Sequence, residues 1–192
     1  MTEVIKLQTP LKEEKIRELN IGDFVELSGT VFFARDRIHK ILSEKVNAEF
    51  KEKMKNRVIY HCGPIAKKEN KKWKIISAGP TTSKRMEEFQ SKIIEDYKLK
   101  AVIGKGGMGK KTLNALEKFG AVYFSAIGGA SALLAEKIVE VKNVFFEEFG
   151  LPEALWEVKV KDFPLIVSMD SKGNSLHENV LKESKKRLEK LR

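Results

Sequence analysis

Residues 101–139 read AVIGKGGMGKKTLNALEKFGAVYFSAIGGASALLAEKIV, and this stretch decides the fold. A short apolar strand precedes a glycine loop, an amphipathic helix follows, and the same order then repeats once. Strands that alternate with helices in this way require a parallel sheet joined by crossover helices. The segment therefore predicts an α/β fold in which two glycine loops lie at the carboxyl ends of neighbouring parallel strands.

Further helices and strands surround this segment. Helices are predicted over 12–19, with Thr9-Pro10 as a plausible cap and first helical position, and over 37–55 and 83–98. Strands are predicted over 24–27 and 30–33, hinged at Ser28-Gly29, and over 58–61, 73–78, 144–146, 156–160 and 165–169. The expected organisation is a single α/β domain with a mixed sheet over 1–170, followed by a basic, helical tail over 171–192.

The composition limits the class of partner without choosing one. The chain has 192 residues, 42% of them hydrophobic, and a formal charge of +10, so an anionic partner has to be considered. The basic runs carry interleaved acidic residues, which is more typical of a solvated face than of a nucleic-acid track.

The cysteine content and the lack of long apolar segments indicate a location. Cys62 is the only cysteine, so this chain forms no internal disulfide and completes no iron–sulfur or zinc site by itself. The sequence shows no signal-peptide pattern at its start and no apolar run near the roughly 20 residues that span a bilayer. We therefore expect a cytoplasmic protein.

The first glycine loop, GKGGMGK at 104–110, nearly matches two phosphate-binding motifs. It fits G-x-G-x-x-G, but the next strand lacks the expected carboxylate; it also fits G-x-x-x-x-G-K, but Lys111 stands where Ser or Thr holds magnesium. Both motifs share exposed backbone N–H groups at a helix start, to which Lys105 adds a charge. The loop is either an anion site or only a tight turn.

Two arginines near other strand ends are further candidates. In Gly79-Pro80-Thr81-Thr82, a helix starting at Thr81 or Thr82 would bring Arg85 to the side of Thr81, where its charge would stabilise an alkoxide. Arg35 follows another strand and can bind a carboxylate, with Asp36 as the predicted helix N-cap. The alternatives are a capping threonine with a solvated Arg85, and an Arg35–Asp36 pair on a loop.

Four short motifs occur in a characteristic order: ARDxxHK at 34–40, GPTT at 79–82 with Arg85 after it, GKGGM at 104–108, and IGGA at 127–130. Together they resemble the beta subunit, or C-terminal domain, of class I iron–sulfur fumarases and L-tartrate dehydratases. The resemblance covers about residues 5–170. It implies a three-layer β/β/α domain of the swivelling, aconitase-like type with a mixed sheet.

The resemblance also implies an activity and an enzyme that is divided between two kinds of subunit. The chain would be the beta subunit of a hydro-lyase that hydrates fumarate to L-malate, or alternatively of an L-tartrate dehydratase. A separate alpha subunit would carry the 4Fe-4S cluster with its three cysteines and supply the catalytic acid, in a heterotetramer of two alpha and two beta chains. No metal ligand is expected in this chain.

Carried over residue by residue, the resemblance assigns roles to the matching positions. Thr81 would be the general base, and the groups that bind the substrate's carboxylates would be Arg35, Arg85, Lys105, Gly106 and Gly107. A second alternative, suggested by charge and by the glycine loop, is a basic nucleotide- or RNA-binding module. The sequence assigns no role to Cys62 or His39 and leaves the basic tail either docked on the alpha chain or solvated.

Overall fold

A computed structural model describes residues 3–191, and its framework is a seven-stranded sheet with a separate hairpin. Over these residues the strands are β1 (Ile5–Gln8), β2 (Phe24–Ala34), β3 (Val58–His61), β4 (Ile65–Glu69), β5 (Lys72–Ser77), β6 (Ala101–Gly104), β7 (Val122–Ser125), β8 (Ile138–Phe145) and β9 (Leu155–Met169). The helices are α1 (Glu13–Glu18), α2 (Asp36–Glu44), α3 (Ala48–Met54), α4 (Glu87–Tyr97), α5 (Lys110–Phe119), α6 (Ser131–Glu136) and α7 (Leu176–Glu189).

The main sheet has the strand order β1-β2-β3-β6-β7-β9-β8, and it closes on itself. Strands β1, β2, β3, β6 and β7 run parallel, whereas β9 is antiparallel to β2, β7 and β8. Because β2 pairs with β3 on one side and with β9 on the other, five strands form a ring. The predicted α/β class with a sheet of mixed orientation is confirmed.

Both faces of the sheet are buried, which explains the near-continuous apolar runs of its strands. In β2, Val31 and Phe33 point into one hydrophobic cluster inside the ring, while Phe32 and Ala34 point into a second cluster beneath the helices. Trp156 of β9 lies in the inner cluster with no exposed surface.

Two pairs of predicted strands are each one continuous strand. Residues 24–34 form β2, and residues 155–169 form β9. The expected hinge at Ser28-Gly29 is instead a β-bulge, where the register against β9 shifts and the Ser28 hydroxyl accepts a 3.0 Å hydrogen bond from Asp162 N. Long-range pairing thus keeps both strands intact through residues that locally favour a break.

The predicted helices differ from the observed ones at their ends. The helix expected over 37–55 is two helices, because the Asn47 side chain caps a new one by accepting a 3.1 Å bond from Phe50 N. Thr9-Pro10 does not start α1, since the Thr9 hydroxyl accepts a 2.6 Å bond from Thr30 N. Residues after Glu136 form β8 rather than the end of a helix.

Within residues 3–191, no helix combines the length and the apolar content needed to cross a membrane.

Trp156→Ala should lower the free energy of unfolding by about 3–5 kcal/mol, because it leaves a cavity inside the ring and removes the 2.9 Å bond from Trp156 Nε1 to Leu151 O. Urea unfolding followed by circular dichroism measures the change. The matched control is Lys159→Ala, an exposed position of the same strand, which should change stability by no more than about 0.5 kcal/mol. Equal losses in the two variants would contradict this account of the core.

Candidate active site

The carboxyl ends of four parallel strands meet at one edge of the ring. Arg35 follows β2, Cys62 follows β3, Lys105 follows β6, and the Ile127-Gly128-Gly129 turn follows β7. The register aligns these ends, since Ala34 pairs with His61 and Gly104 pairs with Ser125. In α/β proteins, closed barrels and open sheets alike bind their ligands at the carboxyl ends of the parallel strands.

Thr81 reaches this edge through backbone hydrogen bonds. Its N–H donates to His61 O at 2.8 Å, the next residue pairs with Lys105, and Ser83 N donates to Lys105 O at 3.2 Å. The segment 81–83 is therefore held between the ends of β3 and β6.

Arg85 lies on a short 3₁₀ turn, Ser83–Met86, which brings its side chain back to Thr81. Its Nη2 atom donates to Thr81 Oγ1 at 2.9 Å and to Asp36 Oδ2 at 2.9 Å. The predicted proximity of Thr81 and Arg85 is thus present, although the turn begins at Ser83 rather than at Thr81 or Thr82. A guanidinium that donates to a hydroxyl oxygen stabilises the alkoxide form of that hydroxyl.

Each of the two arginines lies near a carboxylate of the same chain. Besides the Arg85–Asp36 bond, Arg35 Nε is 3.3 Å from Glu153 Oε1 and 3.9 Å from Asp36 Oδ2. The predicted N-cap role of Asp36 is wrong, because Arg35 occupies the N-cap position and Asp36 is the first residue of α2. The Arg35–Asp36 pair that was one of the alternatives is present at 3.9 Å, whereas the bond of Asp36 to Arg85 was not predicted. Glu153 was not predicted either, because it lies in no local motif.

Lys105 is exposed on the glycine loop and forms no ion pair with any residue in 3–191. Gly106 and Gly107 follow it with φ of +78° and +70°, a conformation that favours glycine. The Lys105 side chain passes Gly128, where an added Cβ would lie 3.8 Å from its Cδ. The two glycine turns are therefore adjacent, and an unpaired cation lies between them.

The start of α5 is already occupied by a carboxylate. Glu87 of α4 accepts hydrogen bonds from Gly109 N at 2.6 Å, from Thr112 N at 3.2 Å and from Thr112 Oγ1 at 2.9 Å. A phosphate loop needs these N–H groups for its ligand, so that interpretation is wrong for this helix. Of the loop residues before the helix, Lys105 and Gly106 are exposed to an anion, whereas Gly107 is buried.

Two histidines lie buried directly beneath the edge. Burial lowers the pKa of His39 to about 4, although its bond to Arg35 O, the Gln90 side chain and the Asp36 charge all act to raise it. Burial also lowers the pKa of His61 well below its usual range. Both imidazoles are therefore neutral at neutral pH.

The described residues do not fit an iron–sulfur cluster or another metal centre. Cys62 is fully buried, and burial raises the pKa of its thiol, so a thiolate ligand is disfavoured. Between residues 3 and 191, no three side chains of His, Cys, Asp or Glu are grouped as metal ligands. Any cluster must be held by residues outside this set.

Comparisons with known proteins agree with one another. A family model described as "Fumarase C-terminus" matches residues 1–180. The chain is 49% identical over 189 residues to the "Putative fumarate hydratase class I" of Geobacillus stearothermophilus, covering 98% of this chain and 36% of that protein. It therefore spans about a third of that relative's length.

Two other relatives are close to this chain in length. The "Putative L(+)-tartrate dehydratase subunit beta" of Methanocaldococcus jannaschii is 43% identical over 185 residues, or 94% of this chain and 95% of the relative. The "L(+)-tartrate dehydratase subunit beta" of Escherichia coli is 40% identical over 181 residues, or 94% of this chain and 88% of the relative.

The buried histidines should make stability fall in mild acid. The unfolded chain takes up protons on His39 and His61 as the pH drops through about 6.5, while the folded protein does not, so folding loses free energy below that pH. Between pH 7.5 and 5.5 the loss should be about 1 to 2 kcal/mol for each buried histidine. Urea unfolding at the two pH values measures it.

His39→Asn is the test variant for this linkage, since its amide can still donate to Arg35 O. The variant should be less stable at pH 7.5, yet its further loss on going to pH 5.5 should be about half that of the wild type. A pH dependence unchanged from the wild type would show that His39 is not buried in its neutral form.

Proposed function

This chain belongs to the Fumarase C-terminus family, and we propose that it is the beta subunit of a hydro-lyase that hydrates fumarate to L-malate together with a separate alpha subunit. The coverage of its relatives supports this division. The chain matches nearly all of two proteins named as beta subunits, but only 36% of a relative named as a complete fumarate hydratase. The remaining part of the enzyme would be the alpha partner.

The observation that carries the proposal is the 2.9 Å bond from Arg85 Nη2 to Thr81 Oγ1 at the sheet edge. In the dehydration direction, a base removes a proton from the carbon beside a carboxylate of malate. Thr81 Oγ1, stabilised as an alkoxide by Arg85, would take that proton and become a neutral hydroxyl. In the hydration direction the same hydroxyl would return it.

The cations at the edge would stabilise the charge that this proton transfer creates. Negative charge develops on the carboxylate next to the reacting carbon, and positive groups placed there bind the transition state more strongly than the substrate. We assign Arg35, Arg85 and Lys105 to this task, with the exposed Gly106 offering its backbone N–H group. The N–H of Gly107 is not assigned to the substrate, because this residue is buried and its N–H faces Tyr123. The acid that acts on the hydroxyl of malate would come from the alpha subunit.

The 4Fe-4S cluster that the family implies would belong to the alpha subunit, since residues 3–191 of this chain do not fit it. A cytoplasmic heterotetramer of two alpha and two beta chains follows as part of the same proposal. The lone buried thiol of Cys62 supports a reducing compartment, because it needs no oxidised partner.

We also propose the swivelling β/β/α type for the domain over 1–170. The closed ring of strands with helices packed on its outer face supports this type. Residues 171–192 would form a tail, and the exposed, basic helix α7 within it would dock on the alpha subunit or remain solvated.

L-tartrate is the second candidate substrate. Two relatives that this chain nearly covers are named tartrate dehydratase beta subunits. Tartrate carries the same two carboxylates as malate with one more hydroxyl, so the same base and cations would serve it.

The proposed activity predicts turnover only in the mixed complex. The chain alone, the cluster-loaded alpha subunit from the same genome alone, and the two together are assayed anaerobically with fumarate and with L-tartrate. Fumarate hydration by the mixture and by neither chain alone is the expected result. Turnover of L-tartrate instead would select the second candidate, and a stable mixed complex inactive on both would refute the hydro-lyase proposal.

Thr81→Ala should lower kcat in that complex by at least about 100-fold, because it removes the proposed base. Assembly, measured by size-exclusion chromatography, should not change. Thr82→Ala is the matched control, since it removes the adjacent hydroxyl. Thr82 is exposed, and although it holds the N-cap position of the 3₁₀ turn, its side chain makes no capping hydrogen bond. Wild-type rates in Thr81→Ala would remove Thr81 from the mechanism.

A further inference from the structure

Five polar side chains lie fully buried directly beneath the proposed site. They come from five different elements: His39 from α2, His61 from the end of β3, Ser83 from the 3₁₀ turn, Gln90 from α4 and Tyr123 from β7. Burying so many polar groups is costly unless they hydrogen-bond to one another. The chemistry proposed above uses none of these side chains.

Three hydrogen bonds of 2.8 Å link four of them in a row. They join the Tyr123 hydroxyl to Ser83 Oγ, Ser83 Oγ to His61 Nδ1, and His61 Nε2 to Gln90 Oε1. At one end of the row, the Tyr123 hydroxyl lies directly beneath the glycine loop, where a Cβ added at Gly104 would be 2.8 Å from it. Burial raises the pKa of this hydroxyl, while the Ser83 hydroxyl and the nearby backbone N–H of Gly107 act to lower it. The row therefore begins beneath the glycine loop.

Only one arrangement of protons satisfies this row. The Gln90 carbonyl oxygen can only accept, so the neutral His61 carries its proton on Nε2 and accepts at Nδ1. Ser83 must then donate to His61, and Tyr123 must donate to Ser83, which leaves the Tyr123 oxygen as an acceptor facing the Gly107 N–H. The donors all point from the glycine loop towards Gln90, so the row has a fixed direction.

Two buried nitrogens lie near the far end of the row. Gln90 Nε2 and His39 Nε2 have no hydrogen-bond partner in the described part of the chain, and the Gln90 side chain is among the groups that act to raise the pKa of His39. His39 Nδ1 lies 2.9 Å from Arg35 O and must donate to it, which leaves His39 Nε2 as an acceptor. The row itself therefore ends at Gln90, and His39 is bound separately to the backbone of Arg35.

Gly104 shows how closely the row is fitted to the sheet edge. An added Cβ there would collide with Ser83 Oγ and lie 2.8 Å from the Tyr123 hydroxyl and 3.1 Å from His61 Nδ1. The first glycine of the loop is therefore required by the buried polar side chains and not by its own backbone conformation. A larger residue at 104 would separate Ser83 from its partners.

We propose that this buried row of hydrogen bonds positions the reacting groups above it, with Tyr123, Ser83 and His61 as positioning residues. Tyr123 anchors the glycine loop from beneath Gly104, the residue before Lys105, and close to the Gly107 N–H. Ser83 and His61 anchor Thr81, which lies two residues before Ser83 and bonds to His61 O. The inference rests on the proposed function for its effect on catalysis, but the anchoring of the loop can be measured without turnover.

Tyr123→Phe is the principal test, and Tyr97→Phe is its matched control. Tyr97 is equally buried, and its hydroxyl also accepts from a backbone N–H, that of Asn47, and donates to a backbone carbonyl, that of Leu42. Both variants lose one buried phenol oxygen, but the control loses it far from the sheet edge. Ser83→Ala is a second test variant that adds no bulk beside Gly104.

Amide hydrogen exchange of the full-length chain gives the readout that needs no activity. In Tyr123→Phe, exchange across 104–109 should become faster while exchange across 46–50 stays as in the wild type. In Tyr97→Phe the opposite pattern is expected. Unchanged exchange across 104–109 in both Tyr123→Phe and Ser83→Ala would overturn the anchoring.

Kinetics of the reconstituted complex give the second readout. In Tyr123→Phe, kcat/KM should fall by about 10-fold or more, chiefly through KM, because the loop holds the carboxylate; in Ser83→Ala, kcat should also fall, because Thr81 is displaced. Tyr97→Phe should keep wild-type constants. Wild-type kcat/KM in Tyr123→Phe with a loosened loop, or an equal loss in Tyr97→Phe, would overturn the positioning role.

The two readouts separate this inference from the proposed function. A wild-type complex that converts neither fumarate nor L-tartrate would refute the function alone. The exchange data would then by themselves uphold or overturn the anchoring of the glycine loop.

Discussion

The antiparallel pairing of β9 with β2 is the constraint on which the rest of the structure depends, because it closes the sheet into a ring. A closed ring has an inner and an outer face, and each strand must bury side chains on both. It also fixes where the strands end: β2, β3, β6 and β7 run parallel and finish at one edge. Arg35 and Lys105 lie at this edge because each follows a strand that ends there, and the Thr81 segment lies there because it bonds to the ends of β3 and β6.

The positive side chains at that edge are only partly paired with carboxylates, and this difference affects how an anion would bind there. Arg35 and Arg85 each lie near an acidic side chain, Glu153 and Asp36, whereas Lys105 has no acidic partner within 3–191. Glu87 meanwhile occupies the start of α5 and keeps an anion away from that helix. An incoming dicarboxylate would therefore meet Lys105 unpaired and would compete with Asp36 and Glu153 for the arginines.

Local patterns predicted the parts of this site that lie close together in the sequence. The strand and helix alternation over 101–139 predicted parallel strands, and a spacing of four residues predicted that Arg85 reaches Thr81. Contacts between distant segments were not predictable in this way. Glu153 reaches Arg35 from a separate 3₁₀ turn. Strands β2 and β9 run unbroken through residues that favour a turn, because the two strands pair with each other on both sides of the bulge.

The glycine loop shows why such motifs mislead when read alone. GKGGMG matches a phosphate loop because both need small residues at a strand end. In this chain, a Cβ added to any of three loop glycines would collide with a different neighbouring group. The neighbour is the Ser83 hydroxyl at Gly104, the His177 ring at Gly107, and the Glu87 carboxylate at Gly109. None of these requirements involves a phosphate. The same residue letters thus arise from packing against polar side chains, and an anion-binding role rests instead on the exposed Lys105 and the Gly106 N–H.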